Sequence, residues 1–292
     1  MRLDELPTSN RIEDRRGLTT SRAGGIGVGT IVVLGLIGWA LGIDPRLLIG
    51  GAEMMSRNGQ TQQQTQVDTG TPSDEIGRFV SAILGSTEAE WKEVFDQAGK
   101  SYQPPTLVMF SGATQSGCGF ARSAMGPFYC PVDQKVYLDT SFFQDLERRF
   151  RGCDVGSKTC QFSQAYVIAH EIGHHVQNLL GILPKVQQAK EGVEQADANA
   201  LQVRVELQAD CLAGVWANRA QAKWQFIEPG DVEAALQTAS AIGDDRLQRQ
   251  SQGYVVPDAF THGTSAQRAR WFTTGLKSGQ VASCDTFRAE QL

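Results

Sequence analysis

The chain has 292 residues, 41% hydrophobic and 20% charged, the proportions of an ordinary globular protein with one medium-sized core plus appendages. A formal net charge of -5 and a pI near 5.5 argue against a nucleic-acid binder, because neutralising phosphates needs a clustered excess of Lys and Arg. Six cysteines without a CxxC pair point away from a thiolate zinc site and toward disulfides.

The first 23 residues are polar and charged, and residues 24–43 then run without an ionisable side chain. About 20 apolar residues suffice to cross a bilayer, so the segment reads as a transmembrane anchor. Arg11, Arg15, Arg16 and Arg22 precede it closely, whereas Arg46 and Arg57 follow. The positive-inside rule therefore puts residues 1–23 in the cytoplasm and exports the remainder. A cleaved signal peptide is the rival reading, but the leading region and the apolar run are long and no A-x-A site closes the run. Residues 44–74 are rich in Gln, Thr and Gly and poor in apolar side chains, the composition of a flexible tether. The folded domain is expected from residue 75 to 292.

Within that domain, Thr87 with Glu90 resembles a capping box opening a helix over 87–98, with Trp91 and Phe95 four residues apart. Residues 106–110 are a short β-rich run, and 127–130 and 135–139 flank turn residues as a hairpin. Helices are expected over 141–151, 163–180, 198–222, 229–241 and 265–276. Proximity pairs Cys118 with Cys130, Cys153 with Cys160, and Cys211 with Cys284. The alternative for Cys211 is a buried free thiol.

The chain has four histidines, and His170, His174 and His175 fall within six residues. His170, Glu171 and His174 form an HExxH motif. On a helix, positions four apart share a face, so both imidazoles reach one tetrahedral zinc ion while Glu171 projects beside it as general base toward a metal-activated water. The bland reading is a chance match on an amphipathic helix. The scarcity of His elsewhere and an apolar stripe of Ile168, Ile172, Val176 and Leu179 argue against it. His175 lies about 140° from His170 around a helix, and reads as a core histidine or one supporting the ligands.

Two histidines leave a catalytic zinc short of one protein ligand. Glu206 and Asp210 are again four apart, among Leu207, Ala209, Cys211, Leu212, Ala213 and Val215. Carboxylates in apolar company need partners. Glu206 is assigned to the metal and Asp210 to accepting a hydrogen bond from a ligand imidazole; spacing alone leaves the reverse assignment open.

These motifs carry a resemblance. HEIGHH followed by ELQAD resembles zincins of the gluzincin kind, whose third ligand is the Glu of an E-x-x-x-D helix. Residues 116–143, together with AYVIAHEIGHHVQ and VELQADCLAGVWA, resemble the bacterial neutral zinc metallopeptidase family over almost the whole chain, anchor and tether included. The resemblance implies zinc and peptidase chemistry, and implies no substrate. The expected architecture is α+β: a mainly helical zincin-like metallopeptidase domain with a small β-sheet or hairpin, preceded by one transmembrane helix.

The expected function is hydrolysis of peptide bonds in protein or peptide substrates, on the outer face of the bacterial cytoplasmic (inner) membrane, with no nucleic-acid partner. An exposed strand of the hairpin before the HExxH helix would hold an extended substrate. His262, just ahead of a helix that Ser265 would cap, is a candidate donor to the oxyanion, with Tyr254 a weaker one. The rivals are a noncatalytic membrane-anchored module with a structural zinc, and a metal-dependent hydrolase of a non-peptide amide. A structural site is closed by four protein ligands and has no use for Glu171.

Overall fold

The computed structural model describes residues 1–17, 68–148, 153 and 159–292, and one compact unit joins 1–15 with 68–292. Its sheet has the order β2-β1-β3-β7-β6, with β1 Ile12–Asp14, β2 Asp68–Thr69, β3 Thr106–Phe110, β6 Phe128–Cys130 and β7 Lys135–Asp139. β1 and β7 flank β3 in parallel, while β2 and β6 pair antiparallel at the outside. Because side chains alternate along a strand, Leu107 and Met109 face the helices. Val108 and Phe110 face the other way, into a small cluster with Ala121 and Tyr137. That second face is covered by a hairpin of β4 Ala113–Ser116 and β5 Gly119–Arg122, and the Cys118–Cys130 disulfide ties its turn to β6. Burial on both faces explains why β3 is an unbroken apolar run. The expected 127–139 hairpin is present, with β6 as the edge strand among the described residues.

The described residues form eight α-helices: α1 Glu75–Gln97, α2 Phe142–Arg148, α3 Cys160–Leu179, α4 Ile182–Lys190, α5 Gln195–Trp224, α6 Asp231–Ala241, α7 Asp244–Gln252 and α8 Ser265–Ser278. The domain is thus α+β and mainly helical. α1 opens at Asp74, whose side chain accepts from the Gly77 N–H, and not at Thr87. Thr87 is interior and donates its hydroxyl to the Leu84 carbonyl. The helix runs further upstream than the expected 87–98 because Phe79, Val80, Ile83 and Leu84 already carry its buried stripe. α4 and α7 were not anticipated: both are nine-residue helices too short to show a clear periodicity. α8 is capped by Thr264 and Gln267 in a capping box, not by Ser265. The last residues of the expected 141–151 helix lie outside the described residues.

Three helices carry the core. α3 packs on α1, α5 and α6, and α8 lies along α5. Phe162 of α3 and Trp216 of α5 stack at 6.5 Å with Phe226 wedged beside them. Each such aromatic contributes on the order of 1.5–3 kcal/mol by leaving water. α8 approaches α5 so closely that a Cβ on Gly275 would sit 1.9 Å from the Cys211 carbonyl oxygen, and the Cys211–Cys284 disulfide clamps this contact. The third bridge joins Cys153 to Cys160, so all three expected pairs are present and Cys211 is not a free thiol.

The N-terminal residues overturn the membrane topology. Met1, Leu6 and Ile12 are buried in the main core, and β1 hydrogen-bonds along β3, Ile12 opposite Leu107 and Asp14 opposite Met109. A single crossing between residues 15 and 68 would put β1 on the opposite side of a bilayer from its neighbours in the sheet. No helix among the described residues is long and apolar enough to cross a membrane, and the expected anchor, 24–43, lies outside them. The expectation of a single-pass inner-membrane protein with a cytoplasmic N-terminus and an exported catalytic domain is corrected accordingly. The expected tether lies outside the described residues up to 67; beyond that, Asp68–Thr69 is a strand and Asp74 caps α1. Residues 1–15 and 68–74 thus share one compact unit with the residues from 75 onward.

Candidate active site

α3 and α5 meet at Gly173, where an added Cβ would lie 3.0 Å from the Ala209 carbonyl oxygen. This close approach brings the HExxH face of one helix against the ELQAD face of the other. The donor atoms of His170, His174 and Glu206 lie within 4.8 Å of one another. The Nε2 atoms of His170 and His174 are 3.3 and 3.5 Å from the same Glu206 oxygen, Oε2. Among the described residues these three form the one group of His, Cys, Asp or Glu donors that could hold a metal ion.

The partners on the far side of each ring decide which atoms face inward. The Nδ1–H of His170 donates to Asp210 Oδ1 at 2.8 Å. The Nδ1–H of His174 donates at 2.9 Å to Gln177 Oε1, and the Gln177 amide nitrogen is committed to the Val205 carbonyl and Gln208. Both Nε2 lone pairs therefore point at a carboxylate oxygen, an arrangement that repels unless a cation sits between them. Zinc fits: tetrahedral ligands about 2.0–2.1 Å from the ion stand roughly 3.3 Å apart, close to the two separations found.

The electrostatics agree. Burial pulls His170 down, but the Asp210 charge and the carboxylate oxygens of Asp210 and Glu206 beside its two ring nitrogens outweigh it and push it up to about 10. His174 is raised the same way, its burial outweighed mainly by Glu206. Glu206 is held well below the usual range because the two histidines, His174 foremost, overcome its burial. The centre demands positive charge, which a proton or a metal ion supplies in competition.

Asp210 is fully buried and held from three sides. Arg268 on α8 donates from Nε to Oδ2 and from an Nη to Oδ1, each at 2.9 Å, and the Tyr166 hydroxyl donates to Oδ1. Burial would raise the carboxyl; the Arg268 and His170 charges bring it down to about 2. Neither Tyr166 nor Arg268 was anticipated. The signal for Arg268 was present, since it shares a helical face with the buried Trp271, Phe272 and Gly275, where an arginine needs a partner.

Glu171 is buried at the cleft wall, with no side-chain hydrogen bond or ion pair among the described residues. The cleft, about 890 Å³, is lined by Glu171, both motif histidines, Glu206, His262 and the Phe128–Tyr129 edge of β6. His262 accepts its orientation from Asp244, which receives the backbone N–H groups of 261, 262 and 263 and faces the ring Nδ1 at 3.3 Å. The Asp244 hydrogen bond raises His262, with burial opposing and Glu206 adding to the rise. Tyr254 is 63% exposed and does not line the cleft.

His175 is turned away from the centre, as its position on the helix implies. Its Nε2–H donates to the Gln103 carbonyl, and its Nδ1 accepts from the Tyr129 hydroxyl, which in turn accepts from Asn178. It ties α3 to the edge strand.

Comparison with known proteins agrees with this geometry. The chain is 47% identical over 288 residues to the uncharacterized protein YpfJ of Escherichia coli K12, covering 96% of each chain. It is 42% identical over 267 residues to the uncharacterized protein Rv2575 of Mycobacterium tuberculosis, covering 86% of this chain and 85% of that one. No solved structure matches. The family described as "Putative neutral zinc metallopeptidase" matches residues 1–287, and the chain belongs to that family.

Proposed function

We propose that the chain is a zinc-dependent peptidase that hydrolyses peptide bonds, with His170, His174 and Glu206 as metal ligands and Glu171 as general base. The observation that carries this reading is the convergence of two imidazole lone pairs on one carboxylate oxygen at zinc-ligand spacing. Among the described residues the group has three donors, which leaves a fourth position for solvent or substrate, as catalytic sites require and structural sites do not.

Zinc bound there would polarise a carbonyl and lower the pKa of water. Glu171 takes the proton of the attacking water and delivers it to the leaving amine. Asp210 holds His170 in the tautomer that presents Nε2, and Gln177 does the same for His174. His262, oriented by Asp244, donates to the oxygen on which negative charge grows. The edge of β6 offers backbone groups to an extended chain by strand addition.

The test is Glu171→Gln in the full chain, with zinc content measured and an unstructured protein such as casein as substrate. The variant should bind zinc like the wild type and lose roughly 10²–10⁴-fold in turnover. A chelator should silence the wild type. Equal cleavage by both proteins overturns the assignment of Glu171, and a folded wild type that takes up no zinc overturns the metal centre.

A further inference from the structure

The two oxygens of Glu206 have different surroundings. Oε2 faces both imidazoles, whereas Oε1 accepts a 2.8 Å hydrogen bond from the amide nitrogen of Gln202. Gln202 lies one turn earlier on α5, so the two side chains share a face. Its own carbonyl oxygen accepts from Lys190 Nζ at 3.0 Å, at the end of α4. This chain has one direction. Lysine has only donors and an ionised carboxylate only acceptors, so the amide must turn its oxygen to Lys190 and its nitrogen to Glu206.

A carboxylate beside a divalent ion can bind through one oxygen or both. Two-oxygen binding by Glu206 would raise the coordination number above four and crowd the position that solvent and substrate need. An N–H committed to Oε1 opposes that, because the hydrogen bond must be given up for Oε1 to swing onto the ion. We propose that Gln202, oriented by Lys190, is a positioning residue that holds Glu206 as a one-oxygen ligand and so keeps the fourth position open. This rests on the metal centre proposed above.

Cobalt(II) reports the difference, because its visible absorption is strong in four-coordinate sites and weak at higher coordination number. The full chain is loaded with cobalt as wild type, Gln202→Leu, Lys190→Met and Lys190→Arg, and the spectrum per bound ion, kcat and KM are measured. Gln202→Leu should bind one ion, lose visible intensity, and fall roughly 10–100-fold in kcat, the range for residues that orient ligands, with KM within about twofold. Lys190→Met should change the spectrum in the same direction, and Lys190→Arg, which keeps a donor, should keep the wild-type spectrum. If Gln202→Leu does not fold, the two Lys190 variants decide by the same criterion. Wild-type spectra and kcat in both Gln202→Leu and Lys190→Met overturn this proposal alone. Failure of the folded wild type to bind cobalt at all overturns the metal centre with it.

Discussion

Arg268→Met removes the cation that balances Asp210 while keeping much of the side chain's apolar length. Arg268 is 3% exposed and Asp210 fully buried, joined by two hydrogen bonds of 2.9 Å. Removing one partner of such a pair strands a buried charge and costs about 3–5 kcal/mol. In a domain of this size each kcal/mol lowers Tm by about 2–4 °C, so melting should fall by roughly 6–20 °C. The loss should also reach the metal. With Arg268 gone, the largest influence holding the Asp210 carboxyl near 2 disappears, and burial favours its neutral form, a poorer acceptor for the His170 Nδ1–H. Zinc affinity should drop about 10–100-fold, measured by competition with a chelating dye. Asp210→Asn combined with Arg268→Met should cost less than the two single changes summed, by about 1–3 kcal/mol, since neither charge is then left alone. An Arg268→Met protein that melts within 2 °C of wild type and binds zinc within twofold would refute the claim that Arg268 supports the centre through Asp210.

Two further outcomes follow from other contacts. At Gly173, an added Cβ lies 3.0–3.3 Å from the backbone and side chain of Ala209; Ala would need a shift of a few tenths of an ångström, and Val considerably more. Since metal sites tolerate about 0.2 Å, Gly173→Val should move Glu206 off the imidazoles, cost about 1–3 kcal/mol and weaken zinc at least about tenfold; undiminished affinity would show that the helix spacing is not limiting. His175 is pushed down to about 4 by burial, with its bond to Gln103 opposing, from an unfolded value of 6.5. The unfolded chain therefore binds the proton first, and the stability this residue contributes is complete above pH 6.5 and lost as pH falls toward 4. Denaturant titrations at pH 7.5 and 4.5 should find the wild type losing about 2–3 kcal/mol more than His175→Gln; equal losses would mean that His175 titrates normally.

The amino-acid sequence alone dictates what depends on neighbours close along the chain. The four-residue spacings of His170 with His174 and of Glu206 with Asp210 place side chains on a helix face whatever surrounds them. Short loops likewise make Cys118–Cys130 and Cys153–Cys160 natural pairs. The 127–139 hairpin is local in the same sense.

The separation of roles between Glu206 and Asp210 is not local. It depends on Arg268, 58 residues beyond Asp210, whose charge holds Asp210 on the Nδ1 side of His170 while Glu206 faces the Nε2 atoms of both histidines. The pairing of Lys190 with Gln202 likewise exists only because α4 packs beside α5. The N-terminal strand shows the limit most clearly. Hydropathy measures whether 24–43 is apolar enough to cross a bilayer, but it carries no information on where the flanking residues go. In the fold β1 and β2, which flank that stretch, are hydrogen-bonded to each other in one sheet. Backbone pairing between residues more than fifty positions apart leaves no periodic trace in a three-residue strand, so only the tertiary structure decides it.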